Sequence, residues 1–469
     1  MMLPAEAVAT DTIVAIATAP GTAGIAVIRI SGAEAITRAA AVFRGTDLRG
    51  VPSHTAHAGY ITDADGREID QVLATVFRAP HSYTGEDSVE ISCHGGSAVS
   101  RAVLTRLLAG DSMLRHALPG EFTRRAFLNG RMDLVQAEAV ADLIHAQTEE
   151  ARRASMQHVQ GALSVHVAAL RERLVRCASL LELSLDFAEE DVDLLSRDDL
   201  RTELADVATT IDRTLVTYRS GRVIRDGFRI ALAGRPNAGK SSVLNALVGA
   251  DRAIVTDIPG TTRDYIEEAA VIDGVLLRFI DTAGLRASED PIEQLGIARS
   301  HACIRSADLV AYIIDASDAA LVSVGIDEHR ALHARLGAQC EAVFVLNKCD
   351  LLSDDARTSL PTGAGVLHAS ARTGAGMDVV AAHVASHARA ASHTSEQGGV
   401  LVTNARHADC LRRALEAIGR AQQAVDEGRS EEYLALDIRA AIDAAGEVVG
   451  IVRTDDVLEA IFSRFCIGK

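Results

Sequence analysis

The sequence predicts a multidomain fold of mixed α+β and α/β class, and three observations support this prediction. At 469 residues the chain is too long for one ordinary hydrophobic core. Its N-terminal part mixes short β-like runs with turns. Beyond that part, two blocks with apolar residues at helical spacing flank a segment of alternating strands and helices. We therefore expect an N-terminal α+β domain, a discontinuous helical domain, and an α/β domain inserted within the helical one.

The N-terminal domain is predicted to comprise residues 1–120. The runs TIVAIAT, IAVIRIS and DQVLATVF carry β-branched residues between Gly, Pro and Asp, which is typical of strands bounded by turns. The later segment GSAVSRAVLTRLLA has a helical period. This mixture indicates an α+β domain.

The helical domain is predicted to comprise residues 121–220 together with residues 390–469. From about Leu134 the chain is rich in Ala, Leu, Glu and Arg and has almost no helix-breaking residues. A similar composition recurs in the segments NARHADCLRRALEAIGRAQQAV and YLALDIRAAIDAAGEVVGIV. We expect long packed helices in both stretches.

The inserted domain is predicted to comprise residues 221–389. The apolar runs FRIALAG, VLLRFID, LVAYIID, AVFVLN and GVLHAS alternate with helical segments, which indicates a parallel sheet covered by helices on both faces. The stretches RSGRVIRDG and SHTSEQGG near its two ends are interpreted either as hinges or as plain solvated linkers.

The composition of the chain indicates which binding partners and which cellular compartment to expect. The net charge of −17 makes whole-molecule attraction to nucleic acid unfavourable, so an RNA partner would need a local basic patch. Aromatic residues make up only 3% of the chain, which disfavours base-stacking platforms. The seven cysteines form no CxxC pair and predict reduced thiols in a cytoplasmic protein. Pro and Gly interrupt the apolar N-terminal stretch, so we expect neither a signal peptide nor a membrane span.

A phosphate-binding loop is predicted at Gly234 to Ser241, directly after the strand FRIALA. Its glycines let successive backbone N–H groups face phosphate oxygens. Lys240 would reach the β- and γ-phosphates, and the Ser241 hydroxyl would bind Mg²⁺. The loop predicts a nucleoside triphosphate site.

Three further motifs follow in the order that guanine nucleotide binding requires. DTAG, from Asp281 to Gly284, supplies a metal-organising carboxylate and a backbone N–H for the γ-phosphate. In NKCD, which begins at Asn347, the Asp350 carboxylate can accept hydrogen bonds from guanine N1–H and the exocyclic amine. SAR, which begins at Ser370, can present a backbone N–H to guanine O6. The set predicts GTP as the ligand.

The sequence resembles a known family. AIVTDIPGTTRD is similar to the first switch segment of the TrmE–Era–Der group of GTPases. Over its whole length the chain resembles the MnmE (TrmE) family of tRNA uridine-34 modification GTPases, through DTIVAIATAPGTAGIAVIRISG, SYTGEDSVEISCHGG, PGEFTRRAFLNGRMDL, the nucleotide motifs and the terminal FCIGK.

The resemblance implies a full set of nucleotide and metal contacts. Contacts to GTP are expected from Asn237, Ala238, Gly239, Lys240, Ser241, Ser242, Thr256, Thr261, Thr262, Asp281, Gly284, Asn347, Lys348, Asp350, Ser370 and Ala371. Mg²⁺ is expected on Ser241 and Thr262. K⁺ is expected in a cage formed by Asn237, Thr256, Ile258 and Thr261.

Hydrolysis needs a water-positioning group and a positive charge. Leu285 occupies the position at which Ras-type enzymes carry the glutamine that orients water. The resemblance implies that Glu293 positions the water instead, with Lys240 and K⁺ supplying charge. For Glu293, a solvated helix carboxylate is the alternative when the residue is considered alone.

The N-terminal domain carries two charges within apolar strands, Arg29 and Glu90. They are either a pair of edge-strand charges or, as the resemblance implies, part of a site for 5,10-methylenetetrahydrofolate (or 5-formyltetrahydrofolate) with Arg131 and Lys469. Cys466 is either a catalytic thiolate that attacks uridine or a small buried hydrophobic residue.

The resemblance implies a cytoplasmic homodimer, whose N-terminal domain binds folate and dimerises. It further implies a K⁺-dependent GTPase that works with an MnmG-family FAD- and NADH-using partner in a heterotetramer. Together they would add an aminomethyl or carboxymethylaminomethyl group at C5 of the tRNA wobble uridine. The alternatives are a ribosome-assembly GTPase of the Era or Der kind and a folate-dependent aminomethyltransferase with an added G domain.

Overall fold

The structure is a computed structural model, and it describes residues 11–109, 114–186, 196–250, 267–281, 307–336, 341–363, 365–393, 399–463 and 465–468. The chain divides into two compact units. The first comprises Met1–Ala141, His158–Arg171 and Ile442–Lys469, and the second comprises Asp142–Gln157 and Glu172–Ala441. The mixed α+β and α/β class is confirmed, whereas the boundaries of the three predicted domains stay a prediction.

The described part of the first unit contains a seven-stranded sheet with the strand order β3-β4-β5-β6-β2-β1-β7. Its strands are β1 (Thr12–Ile16), β2 (Ile25–Ser31), β3 (Phe43–Arg44), β4 (Thr55–Thr62), β5 (Glu68–Phe77), β6 (Ser88–His94) and β7 (Leu114–His116). Neighbouring strands are antiparallel except β1 and β7, which are parallel. The three predicted strand runs are confirmed as β1, β2 and β5.

The two faces of this sheet have different roles. The helices of the N-terminal region are α1 (Ala35–Val42), α2 (Ser97–Leu108) and α3 (Glu121–Leu128). α1 and α2 pack against the alternate β2 residues Ala26, Ile28 and Ile30 in one hydrophobic core. Because side chains alternate along a strand, Arg29 projects from the other face of β2. On β1, Ile13 and Ala15 pack with Phe122 of α3 in a second, smaller cluster.

Helices follow in this part of the chain, as the composition predicted. They are α4 (Leu134–His145), α5 (Glu149–Val159), α6 (Ala162–Asp186), α7 (Arg197–Val216) and α8 (Tyr218–Asp226). The Thr148 hydroxyl accepts a hydrogen bond from Ala151 N–H at the start of α5. Gly161 adopts a φ of +85° before α6. These breaks divide a run that looks continuous in sequence. Most of the stretch RSGRVIRDG, predicted as a hinge or linker, forms α8 instead.

A six-stranded sheet forms the centre of the inserted region, in the order β13-β12-β11-β8-β10-β9 among the described residues. Its strands are β8 (Phe228–Ala233), β9 (Glu267–Ile272), β10 (Val275–Asp281), β11 (Leu309–Asp315), β12 (Glu341–Asn347) and β13 (Val366–His368). The prediction of a parallel sheet is correct except at β9, which pairs antiparallel with β10.

Helices cover both faces of this sheet, as predicted. They are α9 (Lys240–Ala250), α10 (Ala319–Leu336), α11 (Asp354–Thr358) and α12 (Met377–Ser392). Val243 of α9 and Val380 of α12 belong to one core cluster. Val322 of α10 belongs to another cluster, on alternate strand residues such as Val310. The sheet is therefore buried on both sides, which explains why its strands read as continuous apolar runs.

The C-terminal helices are α13 (Ala405–Asp426), α14 (Glu431–Val449) and α15 (Asp455–Phe462). Asn404 begins α13 by accepting a hydrogen bond from Arg406 N–H at 3.0 Å. Phe462 of α15 and the following Phe465 pack with Phe127 and Leu134 in the first unit. In the part of the chain that the structure describes, no helix is long and apolar enough to cross a membrane.

Candidate functional site

The loop between β8 and α9 has the backbone form of a phosphate-binding loop. Gly234 has a φ of +137° and Gly239 a φ of +93°, which side chains rarely adopt. A Cβ atom on Gly234 would lie 2.2 Å from the Ile313 carbonyl oxygen, and one on Gly239 would lie 2.2 Å from Asn347 Nδ2. Glycine is therefore required at both positions. Asn237 is exposed and has a φ of +64°.

Lys240 begins α9 and is buried, with 7% relative exposure. Its Nζ donates hydrogen bonds to the carbonyl oxygens of Gly234 at 3.0 Å and Arg235 at 2.8 Å. The ammonium group is thus held within the loop that the phosphates of a nucleotide would occupy. Ser241 and Ser242 follow on the first turn of α9 and are exposed.

The outer side of the loop is fastened to α10 by a contact that the sequence reasoning missed. Arg235 Nη2 lies 2.6 Å from Glu328 Oε1, and the Tyr312 hydroxyl donates to Glu328 Oε2 at 2.7 Å. The hydrogen bond from Arg235 is the main cause that lowers the pKa of Glu328. A cavity of about 360 Å³ adjoins this contact, lined by residues of the loop, β11 and α10. A charged residue directly after Gly234 was the available signal.

Asn347 joins the phosphate loop to the guanine-binding loop. Its Nδ2 donates to the Ala238 carbonyl oxygen at 2.9 Å, and its Oδ1 accepts from Ala371 N–H at 3.0 Å. The residue retains 2% exposure. Two predicted loops that are 109 and 24 residues from Asn347 in sequence are therefore held by one buried amide.

Lys348 and Asp350 of the NKCD motif are also held by neighbouring side chains. Ser370 Oγ donates to Asp350 Oδ1 at 2.6 Å, and this hydrogen bond is the main cause that lowers the pKa of Asp350. The Asp350 side chain retains 14% exposure. Lys348 Nζ lies 2.6 Å from Asp315 Oδ2 at the end of β11. The site therefore presents an ionised, pre-oriented carboxylate.

Part of the predicted site lies outside the described residues. This holds for Thr256, Ile258, Thr261, Thr262, Gly284 and Glu293. Asp281 is described as the last residue of β10, but its side chain is not. The K⁺ cage, the switch threonine on Mg²⁺ and the water-positioning carboxylate therefore stay predictions.

Arg29 and Glu90 are direct register partners on β2 and β6. Arg29 Nε and Nη2 lie 2.9 and 2.7 Å from Glu90 Oε1. Because both strands are interior in the sheet, the alternative of edge-strand charges is wrong. The guanidinium lies 5.0 Å from the Tyr83 ring centroid and 5.7 Å from that of Phe122.

One atom of this charged pair is unsatisfied. Arg29 Nη1 is buried and has no hydrogen-bond partner among the residues that the structure describes. A buried N–H donor of this kind is costly unless a ligand or water pairs with it. Tyr83 is half-buried beside it, and desolvation raises the pKa of the Tyr83 hydroxyl.

The other two residues predicted to bind folate, Arg131 and Lys469, are not seen in contact with the Arg29–Glu90 pair among the described residues. Arg131 is exposed, and its side-chain stem lies against Gly85, where an added Cβ would be 3.2 Å from Arg131 Cγ. Lys469 lies outside the described residues. The structure therefore brings Arg29 and Glu90 together, with Arg131 against the loop that also carries Tyr83.

Two family models match this chain. The model described as the MnmE helical domain matches residues 134–466, and the one described as the N-terminus of the GTP-binding protein TrmE matches residues 12–131. A tRNA modification GTPase MnmE from Salinibacter ruber is 46% identical, over 98% of this chain and 99% of the relative. One from Symbiobacterium thermophilum is 44% identical, over 98% and 99%. The chain belongs to the MnmE (TrmE) family.

Among solved structures, the G domain of the T. maritima FeoB iron transporter is 25% identical over 34% of this family member and 98% of the FeoB chain. Its TM-score is 0.25.

A buried ionic network supports the loop before β6 in this MnmE family member, and the sequence reasoning missed it. Arg125 is 5% exposed and contacts Asp11 at 2.8 Å, Glu121 at 3.0 Å and Glu86 at 3.2 Å. Burial acts to raise the pKa of Glu121, but hydrogen bonds led by that from Arg115 lower it overall. The network joins the start of β1, the loop before β6 and α3. The charged residues of PGEFTRR were the only signal.

The C-terminal tail of this family member is seated in the first unit. Gly120 N–H lies 3.5 Å from the Cys466 carbonyl oxygen. A Cβ on Gly468, whose φ is +97°, would lie 2.5 Å from the Ile16 carbonyl oxygen. The Cys466 side chain is exposed, so its interpretation as a small buried hydrophobic residue is wrong. Its role as a catalytic thiolate stays a prediction.

Proposed function

We propose that this chain is a GTP hydrolase that acts in tRNA modification, with the function named for its curated MnmE relatives. The observation that carries the nucleotide assignment is Asn347, whose buried amide joins the phosphate loop to the SAR loop. A phosphate-binding loop next to an oriented carboxylate is what a guanine nucleotide requires.

Guanine selectivity is assigned to Asp350. Its ionised carboxylate, held by Ser370, accepts hydrogen bonds from the N1–H and amino group of guanine. Adenine lacks this pair of donors, so ATP would leave the carboxylate unpaired in the complex. ATP should therefore bind more weakly than GTP.

Phosphate binding is assigned to the loop and the start of α9. Lys240 would exchange carbonyl partners of the loop for β- and γ-phosphate oxygens, and the Ser241 hydroxyl, on the first turn of α9, would bind Mg²⁺. The exposed Asn237, in its left-handed conformation, is the described residue proposed to face K⁺. K⁺ would supply positive charge to the phosphates in place of an arginine finger.

The folate proposal rests on the fit of the Arg29–Glu90 pair. Glu90 accepts through Oε1 and can offer Oε2 to the amidine-like edge of a pterin. The unpartnered Nη1 of Arg29 can donate to the same ligand. Bound methylenetetrahydrofolate would supply the one-carbon unit. Arg131 and Lys469 are proposed to bind its carboxylate tail.

The wider assembly is proposed from the family. We infer a cytoplasmic homodimer that joins an MnmG-family flavoprotein and modifies C5 of the tRNA wobble uridine. The net charge of −17 supports tRNA binding through a local surface or through the partner rather than through the molecule as a whole.

Two measurements test this proposal. Purified protein should hydrolyse GTP much faster in K⁺ than in Na⁺ at equal ionic strength, and ATP should not be a substrate. Cells that lack the chain should lose the modified wobble uridine in mass spectra of their tRNA. GTP hydrolysis with unchanged wobble uridines would overturn the tRNA assignment and favour a ribosome-assembly GTPase. Equal rates in the two salts would overturn the K⁺ proposal alone.

A further inference from the structure

Two histidines and a glutamate meet at the end of the α/β sheet that lies away from the nucleotide. His383 and His387 are four residues apart on α12, so they share one helix face. Glu341 is the first residue of β12. None of the three belongs to the predicted GTP, Mg²⁺, K⁺ or folate sites.

The imidazole nitrogens face each other. His383 Nε2 and His387 Nε2 are 3.3 Å apart, and the ring centroids are 4.8 Å apart at an interplanar angle of 66°. His387 Nδ1 is in contact with the Glu341 carboxylate. A neutral His387 that donates its Nδ1 proton to Glu341 must present the lone pair of Nε2 to His383.

This separation suits a shared cation. N–H hydrogen bonds are normally about 2.7–3.2 Å long. Two imidazole nitrogens bound tetrahedrally to Zn²⁺ at about 2.0–2.1 Å are about 3.3–3.4 Å apart. The observed 3.3 Å lies just beyond this hydrogen-bond range and within the range for a chelate.

Glu341 occupies the place of an orienting carboxylate. In protein zinc sites, a ligating histidine usually donates its second N–H to a carboxylate or carbonyl, which fixes the tautomer and raises the basicity of the ligand. His383 is half-buried, and this burial is the main cause that lowers its pKa, which favours the neutral imidazole that a metal ion requires.

We propose that His383 and His387 bind a divalent transition metal, with Zn²⁺ as the best match, and that Glu341 orients His387. Among the described residues, no group of three or more His, Cys, Asp or Glu side chains is placed to hold a metal. The protein thus supplies two ligands, and water completes the coordination. Such a site is exchangeable rather than structural.

The proposed site is separate from the Mg²⁺ site. β12 runs from Glu341 to Asn347, whose side chain joins the nucleotide loops. At about 3.3 Å per residue, the two ends of this strand are about 20 Å apart. Metal binding to the histidine pair can therefore be measured while GDP and excess Mg²⁺ fill the nucleotide site.

The test is a Zn²⁺ titration of the full-length protein with GDP and excess Mg²⁺, in competition with a chromophoric zinc indicator. Relative to wild type, His383→Gln and His387→Gln should each lose one equivalent of Zn²⁺. Glu341→Gln should weaken the same equivalent about 10–100-fold. His393→Gln is the matched control, since His393 follows the same helix and is exposed, and it should bind like wild type.

A second measurement needs no variant and so does not depend on folding of the substituted proteins. In wild-type protein labelled with ¹⁵N-histidine, Zn²⁺ should shift the Nε2 resonances of two histidines. The Nδ1 resonances of the same two rings should keep the chemical shifts of nitrogens that bind no metal. The proposal is overturned if His383→Gln and His387→Gln retain the full zinc stoichiometry and affinity. It is equally overturned if substoichiometric Zn²⁺ shifts no histidine Nε2 resonance.

Discussion

Asn347 shows how one side chain can decide the geometry of a site at the scale of a single residue. Its amide donates to one loop and accepts from another, and the Asn347 side chain is itself buried. The NKCD motif predicts a role for this residue in nucleotide binding. Its hydrogen bonds to Ala238 and Ala371 show that it also connects the two loops without a bound ligand.

We expect Asn347→Ala to lower both stability and nucleotide affinity. The substitution leaves the Ala238 carbonyl and the Ala371 N–H without their side-chain partner, which should cost about 1–3 kcal/mol of unfolding free energy. Thermal or denaturant unfolding without nucleotide measures this loss, and fluorescent GDP binding measures the affinity.

Asp350→Asn is the matched control for that experiment. The side chain is partly exposed, and an asparagine can still accept from Ser370. GDP affinity should therefore fall while unfolding without nucleotide stays near that of wild type. Equal destabilisation by the two substitutions would contradict the bridging role assigned to Asn347.

At the scale of elements, the phosphate loop is attached on both sides. Asn347 of β12 contacts its inner part, and Glu328 of α10 contacts Arg235 on its outer side. The Arg235 and Glu328 side chains are 48% and 37% exposed, so this ion pair contributes little to global stability. Its effect should be on the position of the loop.

We expect Arg235→Gln to speed GDP release several-fold with little change in thermal stability. The reason is that the loop loses its charge contact with α10 but keeps its glycine conformations. Stopped-flow displacement of fluorescent GDP measures the rate. Glu328→Gln should have the same effect, and the double variant should be no worse than either single variant. Additive effects would show that the two residues act independently.

At the scale of the whole molecule, the two compact units carry different predicted chemistry. The phosphate and guanine loops belong to the second unit, whereas Arg29, Glu90 and the C-terminal tail belong to the first. The tail is held there by the close approach of Gly468 to Ile16 and by Phe465 in the hydrophobic cluster.

Deletion of residues 466–469 should abolish tRNA modification and leave GTP hydrolysis within about twofold of wild type. The deletion removes groups seated in the first unit and touches no described residue of the nucleotide loops. Mass spectrometry of wobble uridines and a phosphate-release assay measure the two activities. Cys466→Ser, which keeps the tail, separates thiol chemistry from tail placement. Normal modification by the deletion variant would exclude the tail from the active site.

Much of this organisation was predictable because local patterns encode it. The strands of the α/β region are buried on both faces, so their apolar runs were readable, and the glycine spacing of the phosphate loop follows from backbone conformation alone. The prediction failed where local signals conflict with packing. The antiparallel β9 and the helix α8, expected as a linker, depend on what lies beside them.

Local residue patterns predicted the fold class, the nucleotide motifs and the family, because each strand, helix and motif depends on residues near one another in the chain. Three features became visible only in the folded chain: the pairing of Arg29 with Glu90 on interior strands, the buried ionic network around Arg125, and the two histidines beside a glutamate. Each of these joins side chains from separate strands, helices or loops. Strand register and helix packing determine these contacts. The periodicity of a local sequence segment does not predict which distant residues will be in contact.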